Sequence, residues 1–126
     1  MENIGCYCCS GKSFVDCCEP FLIGTKKPTT AEELMRSRYT AFATQQAEYL
    51  VETTHFSTRK HHAIEAILEW SKANKWLQLE VVEATETMVE FRAYYQDTSG
   101  EKHIHHEFST FKKEMGNWYY VDGRFL

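Results

Sequence analysis

The chain has 126 residues and a formal net charge of −4, with acidic and basic residues interspersed along it. The length fits one ordinary domain, or one domain with a small appendage, and the charge shows no basic footprint of nucleic-acid binding. No apolar run approaches the about eighteen residues of a membrane span, and the N-terminus has neither the basic start nor the apolar stretch of a signal peptide. We therefore expect a cytoplasmic protein without a membrane partner and without a clear nucleic-acid partner.

All five cysteines lie within thirteen residues near the N-terminus, from Cys6 to Cys18. Disulfides that stabilise a domain would have to cross it, so this clustering favours a local metal site in a reducing compartment. Four thiolates complete a tetrahedral zinc site and leave no open position for a substrate, which indicates a structural metal. The predicted ligands are the pairs Cys6 with Cys8 and Cys17 with Cys18, whereas Cys9 is the spare thiol. Zinc is the expected ion, and iron is the alternative.

The same cysteines have a second interpretation as free or reactive thiols. The adjacent Cys17 and Cys18 could form a strained disulfide, and Cys6 or Cys8 could act as a redox partner. Redox pairs need two thiols rather than four or five, so metal binding is the preferred interpretation. A thiol redox sensor, in which oxidation ejects the metal and unfolds the module, is kept as an alternative function.

Two parts of the chain are expected to fold for different reasons. The cysteine segment has too few apolar residues for a core of its own and needs a metal to fold. Residues 24–30 are polar, contain a glycine and a proline, and are typical of a joint between two units. We therefore predict a zinc-binding module over residues 1–24 and a conventionally folded domain over residues 25–126.

The domain is predicted to have helices first and strands afterwards. Thr30 and Glu33 form a capping box at the start of the first helix. Apolar spacing predicts three helices, from Ala31 to about Thr44, from Ala47 to about Thr54 and from about His61 to Asn74. From Trp76 onward, apolar and polar residues alternate in four runs separated by short turns. This order predicts an α+β domain in which three helices pack on one face of a four-stranded antiparallel sheet.

The sequence also resembles known families. The pattern Cys-x-Cys-x-Ser-Gly-Lys from Cys6, followed by Phe14 and then by Cys17 and Cys18, resembles the SEC-C motif, the zinc module of the preprotein translocase SecA. Cys9 stands where glycine is usual in that motif. Residues 34–42, 54–59, 76–80 and 118–123 are similar to the YchJ family. That resemblance implies an NTF2-like (cystatin-like) domain, a cone of helices on a curved sheet, preceded by the SEC-C module.

The resemblance has consequences for function. In SecA the related module is associated with binding the chaperone SecB, so the match implies a protein partner connected with secretion or the ribosome. Folds of the NTF2-like type commonly hold a pocket in the cone and commonly form homodimers through the sheet. A zinc-binding adaptor is the preferred hypothesis, and a small-molecule-binding or enzymatic pocket is the alternative. No catalytic motif can be assigned, so enzymatic activity is left open.

Arg38 lies in the middle of the apolar face of the first predicted helix. That face consists of Leu34, Met35, Ala41 and Phe42. A buried arginine needs an internal carboxylate, a carbonyl or an anionic ligand as its partner. An internal carboxylate is the preferred interpretation, and recognition of an anion in the cone is the functional one.

Histidines supply the other polar candidates for a pocket. Alternation in the third predicted strand places His106 with Ile104 and Phe108, and therefore in the cone interior. His103 and His105 are expected to face the other way. A satisfied core histidine is the commoner role for such a residue, and ligand binding is the alternative. The predicted pocket residues are Arg38, Tyr39, His55 and His106.

Overall fold

The computed structural model describes residues 5–59 and 63–125, and in these residues helices precede a four-stranded sheet. The elements are α1 (Glu19–Leu22), α2 (Ala31–Ala43), α3 (Ala47–Glu52), α4 (Ile64–Ala73), β1 (Lys75–Ala84), β2 (Met88–Gln96), β3 (Lys102–Glu114) and β4 (Asn117–Phe125). The predicted α+β architecture is confirmed, and α1 is an additional short helix that the sequence does not predict. The predicted start of the third helix near His61 lies outside the described residues. None of the helices described is long and apolar enough to cross a membrane.

Helix α2 begins where its capping residues predict. The Thr30 hydroxyl accepts a hydrogen bond from the Glu33 backbone N–H at 3.0 Å, which satisfies one of the free donors of the first turn. The Glu33 carboxylate accepts from the Thr29 backbone N–H at 2.7 Å, one residue earlier than in a standard capping box. After the helix, Gln45 has a φ of 57°, and this left-handed residue turns the chain into α3.

The strands form one antiparallel sheet in the order β1-β2-β3-β4, in which each strand pairs with the next along the chain. Three pairs of the β2–β3 hairpin carry side chains on one face: Val89 with Ser109, Phe91 with Glu107, and Ala93 with His105. This inner face is covered by α2, which contacts β1, β2 and β4. The core of the domain therefore lies between α2 and the inner face.

The opposite, outer face of the sheet is polar and carries His106. Its Nε2 atom lies 2.7 Å from the Glu90 carboxylate, and Arg92 pairs with Glu80 at 3.0 Å on the same face. The predicted position of His106 in the cone interior is wrong, because the alternation of β3 is shifted by one residue and a one-residue shift exchanges the two faces. Ile104, predicted to be inside, is exposed. A homodimer formed through the sheet stays a prediction.

The cysteine module and the domain share one core. Cys8 and Cys18 are fully buried and belong to the same cluster as Leu34 and Met35 of α2. Arg36 of α2 donates from Nη1 to the Cys8 carbonyl at 2.8 Å, and α1 contacts α2. The module is therefore held on the surface of α2, and the boundary at residue 24 stays a prediction.

Candidate metal centre and inner cavity

Four cysteine sulfurs converge at the module. The Sγ atoms of Cys6, Cys8, Cys17 and Cys18 all lie within 4.8 Å of one another. The Cys8–Cys17 separation is 3.6 Å and the Cys17–Cys18 separation is 3.9 Å. A tetrahedral metal with metal–sulfur bonds of about 2.3 Å requires sulfurs about 3.8 Å apart. The four sulfurs could therefore hold a metal ion, and they are the four that the sequence predicts as ligands.

The turn that carries the first pair of ligands explains the spacing of the motif. The Cys9 backbone N–H donates to the Cys6 carbonyl at 3.1 Å, and the Cys6 N–H donates to the Lys12 carbonyl at 2.8 Å. Within this turn Cys9 has a φ of 62° and Gly11 a φ of 88°. Glycine adopts such values without strain, which accounts for the glycine usual at the position of Cys9. The Cys9 sulfur lies outside the cluster and accepts from the Leu79 backbone N–H at 3.5 Å.

The close approach of the sulfurs perturbs their protonation. Hydrogen bonds from Cys18 and Cys8 hold the pKa of Cys6 well below its ordinary value, whereas burial raises the pKa of Cys17 to about 11. The Ser10 hydroxyl lies 3.1 Å from Cys17 Sγ and can donate to it. Four sulfurs this close do not all ionise without a cation among them. A divalent metal ion held by these sulfurs would supply that charge, and the Ser10 hydroxyl would then donate to the sulfur of Cys17 from outside the coordination shell.

A second site lies inside the cone. A cavity of about 230 Å³ separates the helices from the inner face of the sheet. Most of its wall is aromatic or aliphatic, with Trp70 and Phe125 at the solvent-exposed rim. Six polar side chains interrupt this apolar lining: Arg38, Tyr39, His105, Glu107, Ser109 and Tyr120. Few polar groups in an apolar wall are typical of sites that bind small molecules.

Arg38 is buried in this cavity, where its hydrogen-bond acceptors are uncharged oxygen atoms. Its Nη1 atom donates to three acceptors: the Leu50 carbonyl at 2.9 Å, the Thr53 hydroxyl at 2.7 Å and the Thr54 hydroxyl at 3.3 Å. The guanidinium carbon lies 4.4 Å from the centre of the Tyr120 ring. Burial lowers the pKa of Arg38 to about 10, which leaves the group charged at neutral pH. In residues 5–59 and 63–125 no carboxylate lies within ion-pair distance of Arg38. The preferred interpretation from the sequence, an internal carboxylate partner, is therefore wrong for these residues, and carbonyl and hydroxyl oxygens are the partners instead.

Glu107 is the buried anion of the cavity. Its carboxylate accepts hydrogen bonds from His105 Nε2 at 2.7 Å, from the Tyr120 hydroxyl at 3.1 Å and from the Ser109 hydroxyl. Burial opposes its ionisation, yet the hydrogen bonds from His105 and Ser109 hold the pKa of Glu107 below its ordinary value. Among the described residues that line the cavity, Arg38 supplies a fixed positive charge and Glu107 a fixed negative one.

The carboxylate of Glu107 fits only because residue 123 on β4 is glycine. A Cβ atom at Gly123 would lie 2.8 Å from Glu107 Cγ and closer still to its carboxylate. Gly123→Ala is therefore expected to displace the carboxylate and to lower the free energy of unfolding by about 1–3 kcal/mol, measured by urea denaturation. Gly5→Ala is the control, because no atom of the described residues lies within 4 Å of a Cβ atom built there. Equal stability of the two variants would show that Glu107 is not held against Gly123.

The structure brings together only part of the predicted pocket. Arg38 and Tyr39 line the cavity, whereas His55 and His106 do not. His55 is buried in the loop after α3, where its Nδ1 lies 2.7 Å from the Ser57 hydroxyl and its Nε2 bonds to Glu114. It is thus a satisfied structural histidine.

The sequence analysis missed the four polar residues contributed by β3 and β4: His105, Glu107, Ser109 and Tyr120. The missed signal is the register of the β2–β3 hairpin. The turn after Gln96 pairs that residue with Lys102, and this pairing places Glu107 beside Phe91 on the buried face. When β3 is considered alone, the apolar side chains of Ile104 and Phe108 favour the opposite assignment, in which the even-numbered residues face inward.

The cysteine cluster on the surface of α2 and the cone with its internal cavity define a protein class: a SEC-C-type module joined to an NTF2-like domain. Residues 30–123 match the family model described as YchJ, middle NTF2-like domain. The chain belongs to the YchJ family.

Relatives and solved structures agree with this assignment. A UPF0225 protein of Geobacter sulfurreducens is 42% identical over 98% of this chain and 80% of the relative. A UPF0225 protein of Haemophilus influenzae strain 86-028NP is 39% identical over 97% of this chain and 77% of the relative. The solution structure of RPA3114, a SEC-C motif containing protein from Rhodopseudomonas palustris, is similar with a TM-score of 0.89 and 35% identity, covering 98% of this chain and 99% of that one. A SEC-C motif containing protein from Psychrobacter arcticus has a TM-score of 0.74 and 32% identity, over 90% of this chain and 72% of that one.

Proposed function

We propose that this protein is a zinc-binding adaptor. Four cysteines hold one structural zinc ion, the ion fixes the module on α2, and the module docks a protein partner. The observation that carries the proposal is the group of four sulfurs within 4.8 Å of one another, in which the Cys8–Cys17 and Cys17–Cys18 separations of 3.6 and 3.9 Å suit tetrahedral zinc. Because four protein ligands fill the coordination sphere, the metal has a structural role and the contact with a partner comes from the module surface.

That surface offers apolar side chains to a partner. The cysteines occupy the side of the module that faces α2, and Val15 and Ile23 are left 63% and 65% exposed. Tyr7 is also exposed, although its ring makes an edge contact with Phe14 at 5.7 Å between centroids. Exposed apolar residues on a small rigid module are typical of a docking site. The similarity of the module to that of SecA makes SecB and the ribosome the first partners to test.

Calorimetric titration with purified SecB, and cosedimentation with ribosomes, test the adaptor function. We expect binding to one of them, and we expect the double variant Val15→Asp/Ile23→Asp to weaken it at least about tenfold while keeping its metal. Val82→Asp is the matched control, because Val82 is exposed on β1, outside the module. Absence of binding to both partners, or equal binding by a metal-free cysteine variant, would contradict the proposal.

A second candidate function, binding of a small molecule in the cone, is supported by the cavity and its buried Arg38. Only the Nη1 atom of Arg38 has hydrogen-bond acceptors among the residues described, so Nε and Nη2 are left as donors for a ligand. The volume of about 230 Å³ lies below the roughly 300–1,000 Å³ of sites for drug-sized molecules. A ligand of this cavity is therefore small.

A further inference from the structure

His105 and Glu107 form a dyad on the wall of the cavity. The two side chains project from the same face of β3, and His105 Nε2 lies 2.7 Å from the Glu107 carboxylate. An ionised carboxylate only accepts hydrogen bonds, so a singly protonated His105 ring carries its proton on Nε2. The lone pair then lies on Nδ1, which has no hydrogen-bond partner in the described part of the chain. A buried carboxylate that orients an imidazole in this way prepares it to act as a base.

Arg38 complements this base with hydrogen-bond donors on the same cavity. Its Nη1 atom is anchored by the oxygens at the end of α3, which fixes the guanidinium plane. The Nε and Nη2 donors have no acceptor in the ranges described and are available to an oxygen atom of a ligand. Fixed donors in an apolar site stabilise a developing oxyanion more strongly than water does. The cavity thus combines a base with a group that stabilises negative charge on oxygen.

Charge and shape restrict the ligand further. Among the described lining residues, the positive charge of Arg38 and the negative charge of Glu107 leave no net charge that would attract an anionic ligand, and such a ligand would also be repelled by the Glu107 carboxylate. The walls are aromatic, and Trp70 and Phe125 at the rim are 41% and 75% exposed. These features favour a small, neutral, apolar molecule with one carbonyl oxygen.

We propose that the cavity catalyses proton transfer at the α-carbon of small, neutral, apolar carbonyl compounds. Arg38 binds the carbonyl oxygen, and His105 Nδ1 takes the α-proton. The electrons of the C–H bond form a carbon–carbon double bond, and the carbonyl π electrons become the enolate charge on oxygen. Return of the proton from His105 to carbon or oxygen completes an isomerisation that needs no other reactant. This inference rests on the second candidate function, binding of a small molecule in the cone.

The test uses 2-tetralone, a neutral aromatic ketone with acidic α-protons, and the full zinc-loaded chain. Saturation-transfer NMR measures its binding, and loss of the α-proton signals in D2O measures proton exchange. We expect the natural chain to bind the ketone and to catalyse exchange, and His105→Gln to bind it but to lose at least about 100-fold of the exchange rate. The charged analogue 2-naphthoate is expected to bind at least about tenfold more weakly.

His106→Gln is the matched control. His106 and His105 are neighbours, each lies 2.7 Å from a glutamate carboxylate, and each side chain is 24% exposed, but only His105 lines the cavity. We expect His106→Gln to exchange protons at the natural rate. If the natural chain binds 2-tetralone but exchanges its α-protons no faster than His105→Gln does, the catalytic inference is overturned and the binding of a small molecule still stands. Absence of binding overturns both, and tighter binding of 2-naphthoate overturns the choice of a neutral ligand.

Discussion

Cys8→Ser is expected to abolish stoichiometric zinc binding and to lower the free energy of unfolding by at least about 3 kcal/mol. Binding of a structural zinc ion contributes on the order of 10 kcal/mol to the folding of small zinc modules. Cys8 is fully buried against α2, in the same cluster as Leu34 and Met35. Loss of the metal therefore exposes part of the core of the domain as well as unfolding the module. Metal analysis and urea denaturation measure the two effects.

Cys9→Ser is the control for this prediction, because it removes the neighbouring thiol and keeps the four clustered sulfurs. Its zinc content is expected to equal that of the natural chain, with a change in stability within about 0.5 kcal/mol. Loss of zinc from Cys9→Ser together with retention by Cys8→Ser would show that the ligands are assigned to the wrong sulfurs. A Cys8→Ser protein that keeps its stability without metal would show that the domain does not depend on the module.

Arg38→Met is expected to lower the free energy of unfolding by about 3 kcal/mol. The change removes three charge-assisted hydrogen bonds and the contact with Tyr120, and it leaves Glu107 as a buried anion without the nearby positive charge. Urea denaturation at equal zinc content measures the effect, with Arg92→Met as the control. Arg92 pairs with Glu80 on the exposed outer face, where such pairs contribute less than about 1 kcal/mol. Similar losses in the two variants would contradict a structural role for Arg38.

The cysteine cluster, the candidate metal centre, is the part of the site that can be predicted from the sequence. Its ligands are close together along the chain, and soft thiolates in two pairs have few other uses in a reducing compartment. Arg38 is likewise recognisable, because helical periodicity places it on an apolar face whatever the rest of the fold does. The hydrogen-bond partners of Arg38 cannot be recognised from the sequence. The Leu50 carbonyl and the threonine hydroxyls beside it come close to Arg38 only when α3 packs on α2.

The polar side of the cavity depends on strand register, which a single strand does not reveal. His105 and His106 are neighbouring residues of the same type, so the sequence of β3 does not show which of them faces inward. The register set by the β2–β3 turn places His105 on the inner face. The place for the Glu107 carboxylate is created by the missing side chain of Gly123 on the neighbouring strand. Helix α1 has four residues and no period long enough to detect, since one helical turn already spans 3.6 residues.

X-ray absorption spectroscopy at the zinc edge tests the metal centre most directly. The protein is purified without a tag or a chelator under reducing conditions, and its metal content is measured on the same sample. We expect one zinc ion per chain with four sulfur ligands at about 2.3 Å. A coordination shell that contains nitrogen or oxygen, or a metal-free protein in which all five cysteine thiols can be titrated, would contradict a zinc site formed by Cys6, Cys8, Cys17 and Cys18.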